Sequence, residues 1–233
     1  MSDISHTNSV LAIIPAYNEG RHIGDVVRQT LSHLPVLVID DGSTDQTAAE
    51  AELAGAEVVR QIPNQGKGVA LMRGFREAIN KGYSAVVMLD ADGQHDPDEI
   101  PAFLEAYRAG GDLVIGKRDF RYMPQPRRTT NRIGTWMFSW AVGQHIPDNQ
   151  SGYRLLSSRM MEATLDSKET NFEFEVEMIV VCIQRGYQLA WVPIRTIYGD
   201  ERSHIRPLRH IYHFSRVVLQ ARQAIRRARK HNQ

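Results

Sequence analysis

Across 233 residues the chain has a single cysteine, Cys182, set among Ile179, Val180, Val181 and Ile183. That excludes a disulfide framework and a Cys-rich zinc site, and it fits a reducing compartment. Core packing accounts for the residue. There is no long apolar run either: the longest uncharged stretch, Ile133 to Pro147, is too short to cross a bilayer. The opening MSDISHTNSV lacks a basic region followed by an apolar one, so no secretory leader is expected and a cytoplasmic location is. Repeats, low-complexity segments and long linkers are missing as well. With 42% hydrophobic and 24% charged residues, the composition is that of an ordinary globular domain.

The net charge of +1 conceals an asymmetry. Nine Lys/Arg and no acid lie from Arg202 onward, which leaves 19 basic and 27 acidic side chains before it. The chain therefore divides into a body, residues 1–206, and a basic tail, residues 207–233. In the tail, Leu208, Ile211, Phe214, Val218, Ala221 and Ile225 share one helical face, and Arg209, His213, Arg216 and Arg227 share the other. A basic amphipathic helix reads as a membrane-surface element. The alternative is a helix packed on the body with a solvated basic face.

Short apolar runs alternate with helical patterns through the first half. LAIIPA precedes a helix near Arg21 to His33, VLVID one over Thr44 to Gly55, EVVR one over Gly66 to Lys81, and AVVMLD one over Pro97 to Ala109; DLVIGK follows. Such alternation predicts an α/β fold with a mostly parallel sheet flanked by helices. In such sheets ligands bind beyond the carboxyl ends of the strands. The loops placed there are PAYNEG, DDGSTD, DADGQHD and KRDF.

The densest signal is VVMLDADGQHDPDEIP. Asp96, Pro97, Asp98 and Glu99 make a helix start, with a capping carboxylate, proline at the first position and acids where the helix dipole favours them. No cap explains Asp90 and Asp92. With Gln94 they offer hard oxygen ligands suited to Mg2+ or Mn2+; a solvated acidic loop is the plainer alternative. An EF-hand is excluded, since His95 and Pro101 stand where its glycine and glutamate belong. Asp40 and Asp41 end a second strand and could accept hydrogen bonds from a ribose or base, while Ser43, Thr44 or Asp45 caps the next helix. Around Lys67, Gln61 and Gly68 break the P-loop pattern and Leu71 breaks the dinucleotide fingerprint. A glycine pair opening a helix remains, with one lysine able to reach an anion.

Taken in order, IIPAYNE, VIDDGSTD, GKGVALMRG, LDADGQHDP, GKR, NRIG, QSGYRLLS, FEFEVEM and YGDERSHIRP resemble family 2 glycosyltransferases of the GT-A (nucleotide-diphospho-sugar transferase) fold, over Leu11 to His210. Within these they are similar to the polyprenyl-phosphate enzymes related to dolichyl-phosphate mannose synthase. The resemblance implies metal ligation by Asp90, Asp92 and Gln94, and nucleotide binding by Pro15, Tyr17, Glu19, Asp40 and Asp41, with Lys67 on an anion. It places Arg118, Arg132 and Arg202 at the acceptor phosphate or the diphosphate, and Ser151 and Arg154 in the site wall. The implied reaction inverts a hexose of a GDP- or UDP-sugar onto a polyprenyl phosphate, at the cytoplasmic face of a membrane that the enzyme contacts peripherally.

Phosphate as nucleophile suits the sequence. A phosphate monoester has a second pKa of about 6 and needs no general base, whereas a sugar hydroxyl does. Sugar-acceptor relatives usually carry a Glu-Asp pair that DNQSGYR lacks, leaving Asp148 as the candidate base. Ile133, Trp136, Met137, Trp140 and Ala141 follow helical spacing, and tryptophan suits a headgroup boundary. The rivals are a soluble family 2 enzyme acting on a hydroxyl, a nucleotidyltransferase, and a basic-tailed nucleotide- or nucleic-acid-binding module. The second would want a glycine-rich basic N-terminal loop where IIPAYNEGRH stands. Against nucleic acid as a partner, few aromatics interleave the tail charges and the body is acidic.

Overall fold

A computed structural model of the chain describes residues 9–122, 125, 127–165, 173–195, 218, 219, 221–223 and 225. Seven strands form one sheet: β1 (Val10–Ala16), β2 (Val36–Asp40), β3 (Glu57–Arg60), β4 (Ala85–Met88), β5 (Leu113–Arg118), β6 (Arg154–Ser157) and β7 (Leu189–Ile194). Their spatial order is β3-β2-β1-β4-β6-β5-β7. All pairings are parallel except those of β6, which runs antiparallel to both β4 and β5. The expected mostly parallel sheet flanked by helices is thus observed, with one reversed strand inside QSGYRLLS.

Period-two alternation sorts each strand onto two cores. Leu11, Ile13, Leu37 and Ile39 face one side, where α3 (Lys67–Asn80), α5 (Arg127–Val142), α6 (Ser158–Thr164) and α7 (Glu173–Gln184) contribute Leu71, Phe75, Phe138, Met160 and Phe174. Val10, Ala12, Ile14, Val36 and Val38 face the other, against α1 (Ile23–Leu31), α2 (Thr47–Leu53) and α4 (Ile100–Arg108). The chain winds from β1 outward to β3, then returns to place β4 on the other side of β1. That reversal is a topological switch point, and the loops after β1 and β4 open beside it.

Two local expectations are modified. The strand expected to run to Asp90 ends at Met88, because the Asp90 amide donates to His95 Nδ1 instead of to a neighbouring strand. In the tail, Val218, Ala221 and Ile225 are buried in the core beside α5 and α7 rather than presented to a membrane. The Arg222 guanidinium lies 3.6 Å from the centre of the Trp140 ring. Where described, then, the tail's apolar face packs on the body; Leu208, Ile211 and Phe214 lie outside the described residues.

Asp112 ties the reversed strand to its neighbours. It accepts from Ser157 Oγ, from the Gln188 amide and from Arg159. Burial pushes its pKa up, but these three donors outweigh burial and hold it below the usual carboxylate value. A depressed folded pKa contributes stability that is complete above about pH 4 and is lost as the pH falls through the folded value. Wild type should therefore lose stability more steeply than Asp112→Asn between pH 5 and 2, as measured by urea unfolding midpoints.

Candidate active site

Two loops at the carboxyl end of the sheet brace each other. Asn18, in the left-handed region with φ of 56°, donates its amide to Ser43 Oγ and accepts from the Thr44 amide on its side chain. The Glu19 amide donates to Thr47 Oγ1 and the Gly20 amide to Asp45 Oδ2. Asp45 also accepts from the Thr47 amide at 3.0 Å, closing the DDGSTD turn ahead of the next helix, whose N-cap position is Gln46 without a side-chain cap. Tyr17 stands 48% exposed on this frame, and Pro15 and Glu19 are partly buried.

Asp40 and Asp41 lie at its base, 0% and 3% exposed. Asp40 accepts from the Ser43 amide and from Arg60 Nε. Asp41 accepts from Gln61 Nε2 and from the amides of Gln65 and Gly66. These bonds hold the start of α3, and so place Lys67.

From α3, Lys67 Nζ reaches Asp90 Oδ1 at 2.5 Å and Glu175 Oε1 at 2.8 Å. His95 packs on the far side, its Nε2 3.8 Å from Asp90 Oδ2. Since His95 Nδ1 accepts from the Asp90 amide, the neutral ring carries its proton on Nε2. Burial pushes the His95 pKa down. Burial also pushes Asp90 up, but Lys67, His95 and Arg118 prevail and its pKa lies at about 2. Asp92 and Gln94 are partly buried next to it, and Asp92 Oδ1 accepts from the Gln94 amide. Behind the loop, His95 stacks on Tyr153, and Tyr153 on Phe103.

The opposite wall is the turn before β6. Arg118 Nε and Nη2 clasp Asp148 at 2.7 and 2.9 Å, and Asp148 is fully buried. Arg154 is fully buried too, with its guanidinium donating to the carbonyls of Asn149, Ser151 and Glu175. It stands behind the wall, as a clamp on the turn. Ser151 Oγ and Asn149 Nδ2 are buried atoms with no protein partner among the described residues.

A nucleotide-sugar-type sheet with an acidic loop at its switch point matches a known family model. The description of that model is glycosyl transferase family 2, and it covers residues 11–169. The chain belongs to this family of glycosyltransferases. It is 34% identical over 206 residues to polyprenol monophosphomannose synthase of Mycolicibacterium smegmatis, covering 81% of this chain and 77% of that protein. It is 34% identical over 203 residues to undecaprenyl-phosphate mannosyltransferase of Micrococcus luteus, covering 79% and 82%. Among solved structures, glucosyl-3-phosphoglycerate synthase from Mycobacterium tuberculosis in complex with Mn2+, UDP and phosphoglyceric acid superposes with a TM-score of 0.72. It is 21% identical and covers 92% of this chain and 77% of that one. The sheet is therefore of the GT-A type.

In this glycosyltransferase the fold gathers Asp90, Asp92, Gln94, Lys67, Arg118 and Asp148 around one end of the sheet. Arg132 lies exposed on α5, and Arg202 falls outside the described residues. Three residues of this cluster carry no role in the sequence reading: His95 and Gly152, which lie against Asp90, and Glu175, which shares Lys67 with it. A Cβ on Gly152 would lie 2.8 Å from Asp90 Oδ2. Only the glycine within QSGYR hinted at so close an approach.

Proposed function

We propose that this enzyme transfers a hexose, with inversion, from a GDP- or UDP-sugar to a polyprenyl phosphate at a membrane surface. The donor is held by the braced loops, with Tyr17, Pro15 and Glu19 beside the nucleoside and Asp40 and Asp41 shaping the floor. Asp90, Asp92 and Gln94 would hold Mg2+ or Mn2+. The donor set fits: two carboxylates and an amide are partly exposed, one carboxyl is held firmly ionised, and positions are left for phosphate oxygens. A bound divalent ion supplies charge neutralisation for the departing diphosphate.

The observation that carries the choice of acceptor is the Arg118–Asp148 clasp. A hydroxyl acceptor needs a base, yet the one acid of DNQSGYR is fully buried, with both oxygens taken by Arg118 and one also by the Gln150 amide. A phosphate dianion needs no base, and the guanidinium of Arg118 at this wall suits its approach. The names of the two bacterial relatives point the same way. The test supplies labelled GDP-mannose and UDP-glucose with Mn2+, offering undecaprenyl phosphate in vesicles or glycerate in solution. Label should enter the lipid and not the glycerate, and Asp92→Ala should reduce it about a thousandfold; transfer to glycerate alone would favour the hydroxyl reading.

Membrane contact rests on α5. Ile133, Trp136 and Trp140 are 54%, 70% and 53% exposed along one stripe, with Arg132 beside them, and no helix among the described residues is long and apolar enough to cross a bilayer. Exposed tryptophans next to arginine suit an anionic headgroup layer. Arg222, whose guanidinium lies 3.6 Å from the centre of the Trp140 ring, adds charge there. Trp136→Ser with Trp140→Ser should lower co-sedimentation with phosphatidylglycerol vesicles about tenfold or more, with turnover on a short, soluble prenyl phosphate unchanged.

A further inference from the structure

Lys67 lies where the metal loop is most negative. Its ammonium sits 2.5 Å from Asp90 Oδ1 and 2.8 Å from Glu175 Oε1, so it joins the loop after β4 to the first turn of α7. Glu175 is 4% exposed, and Arg154 fixes its backbone by donating to its carbonyl. Lys67 differs from it: the side chain is 37% exposed and rises from a helix start between Gly66 and Gly68, neither of which carries a Cβ. On the other side of Asp90, His95 Nε2 lies 3.8 Å from Oδ2, and Gly152 runs so close that a Cβ there would meet Oδ2 at 2.8 Å.

We propose that Lys67 is a resident cation at the metal loop, shared between Asp90 and Glu175; a divalent ion displaces it from Asp90, and its ammonium then turns to the donor diphosphate. This deepens the proposed function and rests on the metal assigned there. Charge supports it. Asp90, Asp92 and Glu175 against Lys67 leave two negative charges, which a divalent ion cancels; the freed ammonium then has an incoming diphosphate to neutralise. Two cations cannot share Asp90 Oδ1 at contact distance without strong repulsion. Glu175 provides the alternative partner that makes the exchange feasible. Lys67 and Glu175 thus act as positioning residues for the metal, and Lys67 also as a donor-binding one.

The test reads Mn2+ binding by the loss of the free-ion EPR signal, for wild type, Lys67→Met, Glu175→Gln and Asp92→Ala, alone and with GDP or UDP. Lys67→Met should bind Mn2+ alone about tenfold more tightly, yet bind the nucleotide in the presence of Mn2+ about tenfold more weakly. Glu175→Gln, which leaves Lys67 to Asp90 alone, should bind Mn2+ at least about threefold more weakly. A damaged fold would weaken every measurement, so the opposed signs carry the inference. If wild type binds Mn2+ through Asp92 and Lys67→Met binds it equally or more weakly, or Glu175→Gln binds it more tightly, the exchange is overturned while the metal assignment stands. No Mn2+ binding by wild type with either nucleotide overturns both.

Discussion

Gly152→Ala is expected to lower turnover by about a hundredfold while leaving a folded protein. The added methyl would sit 2.8 Å from Asp90 Oδ2 and 3.1 Å from Lys67 Nζ, closer than carbon and oxygen can pack. Gly152 does not have a left-handed backbone, so the effect is one of volume alone. Asp90 cannot make room cheaply: its Oδ1 is held by Lys67 and its amide by His95 Nδ1. The carboxylate must then shift by a few tenths of an ångström or more, and misplacement near 1 Å costs on the order of 10²-fold in rate. Steady-state rates with saturating donor, together with the thermal midpoint, check this. Gly24→Ala is the control, since its Cβ would meet only the flexible end of Arg28 at 3.4 Å. Normal turnover in Gly152→Ala would mean that Asp90 needs no fixed position.

Much of this arrangement was legible before any coordinates. The alternation of VLVID and AVVMLD with helical patterns located the parallel sheet, and the rule that ligands bind beyond the carboxyl ends of its strands placed the DDGSTD and DADGQHD loops at one end of it. What escaped depends on contacts between distant segments. Glu175 sits on a largely apolar helix, and nothing local marks it as the partner of Lys67, 108 positions earlier. The reversed strand β6 is only four residues long, too short for its period to declare direction. Arg154, expected in the site wall, is fully buried, and the sequence cannot tell which side of a wall a side chain occupies. The tail illustrates a different limit. Its apolar face suited membrane contact and packing equally well, and burial of Val218, Ala221 and Ile225 chose packing. On α5, Trp136 and Trp140 stand outward while Phe138 and Ala141, the latter on the expected stripe, are buried.

Arg154→Met should cost about 3–5 kcal/mol, the range for removing one member of a buried charge network. The guanidinium is fully buried and gathers three carbonyls, those of Asn149, Ser151 and Glu175, so that the turn before β6 and the start of α7 converge on one cation. Burial pushes the Arg154 pKa down, and the charges of Glu175 and Asp148 push it back. Methionine keeps most of the stem's volume but has no donors. Three carbonyls would lose their partner, and two acids would lose a compensating charge. For a chain of this size each kcal/mol shifts Tm by about 2–4 °C, so a fall of roughly 10 °C is expected by calorimetry. Arg154→Lys separates charge from geometry. An ammonium restores the charge but cannot span three carbonyls with the reach of a planar fork, so it should recover part of the loss. Activity should follow the same order, because Asp148 and Gly152 belong to the turn that Arg154 clamps. If Arg154→Met unfolds within about 3 °C of wild type, the turn is held by something else, and the alignment of Gly152 against Asp90 must come from β6 itself.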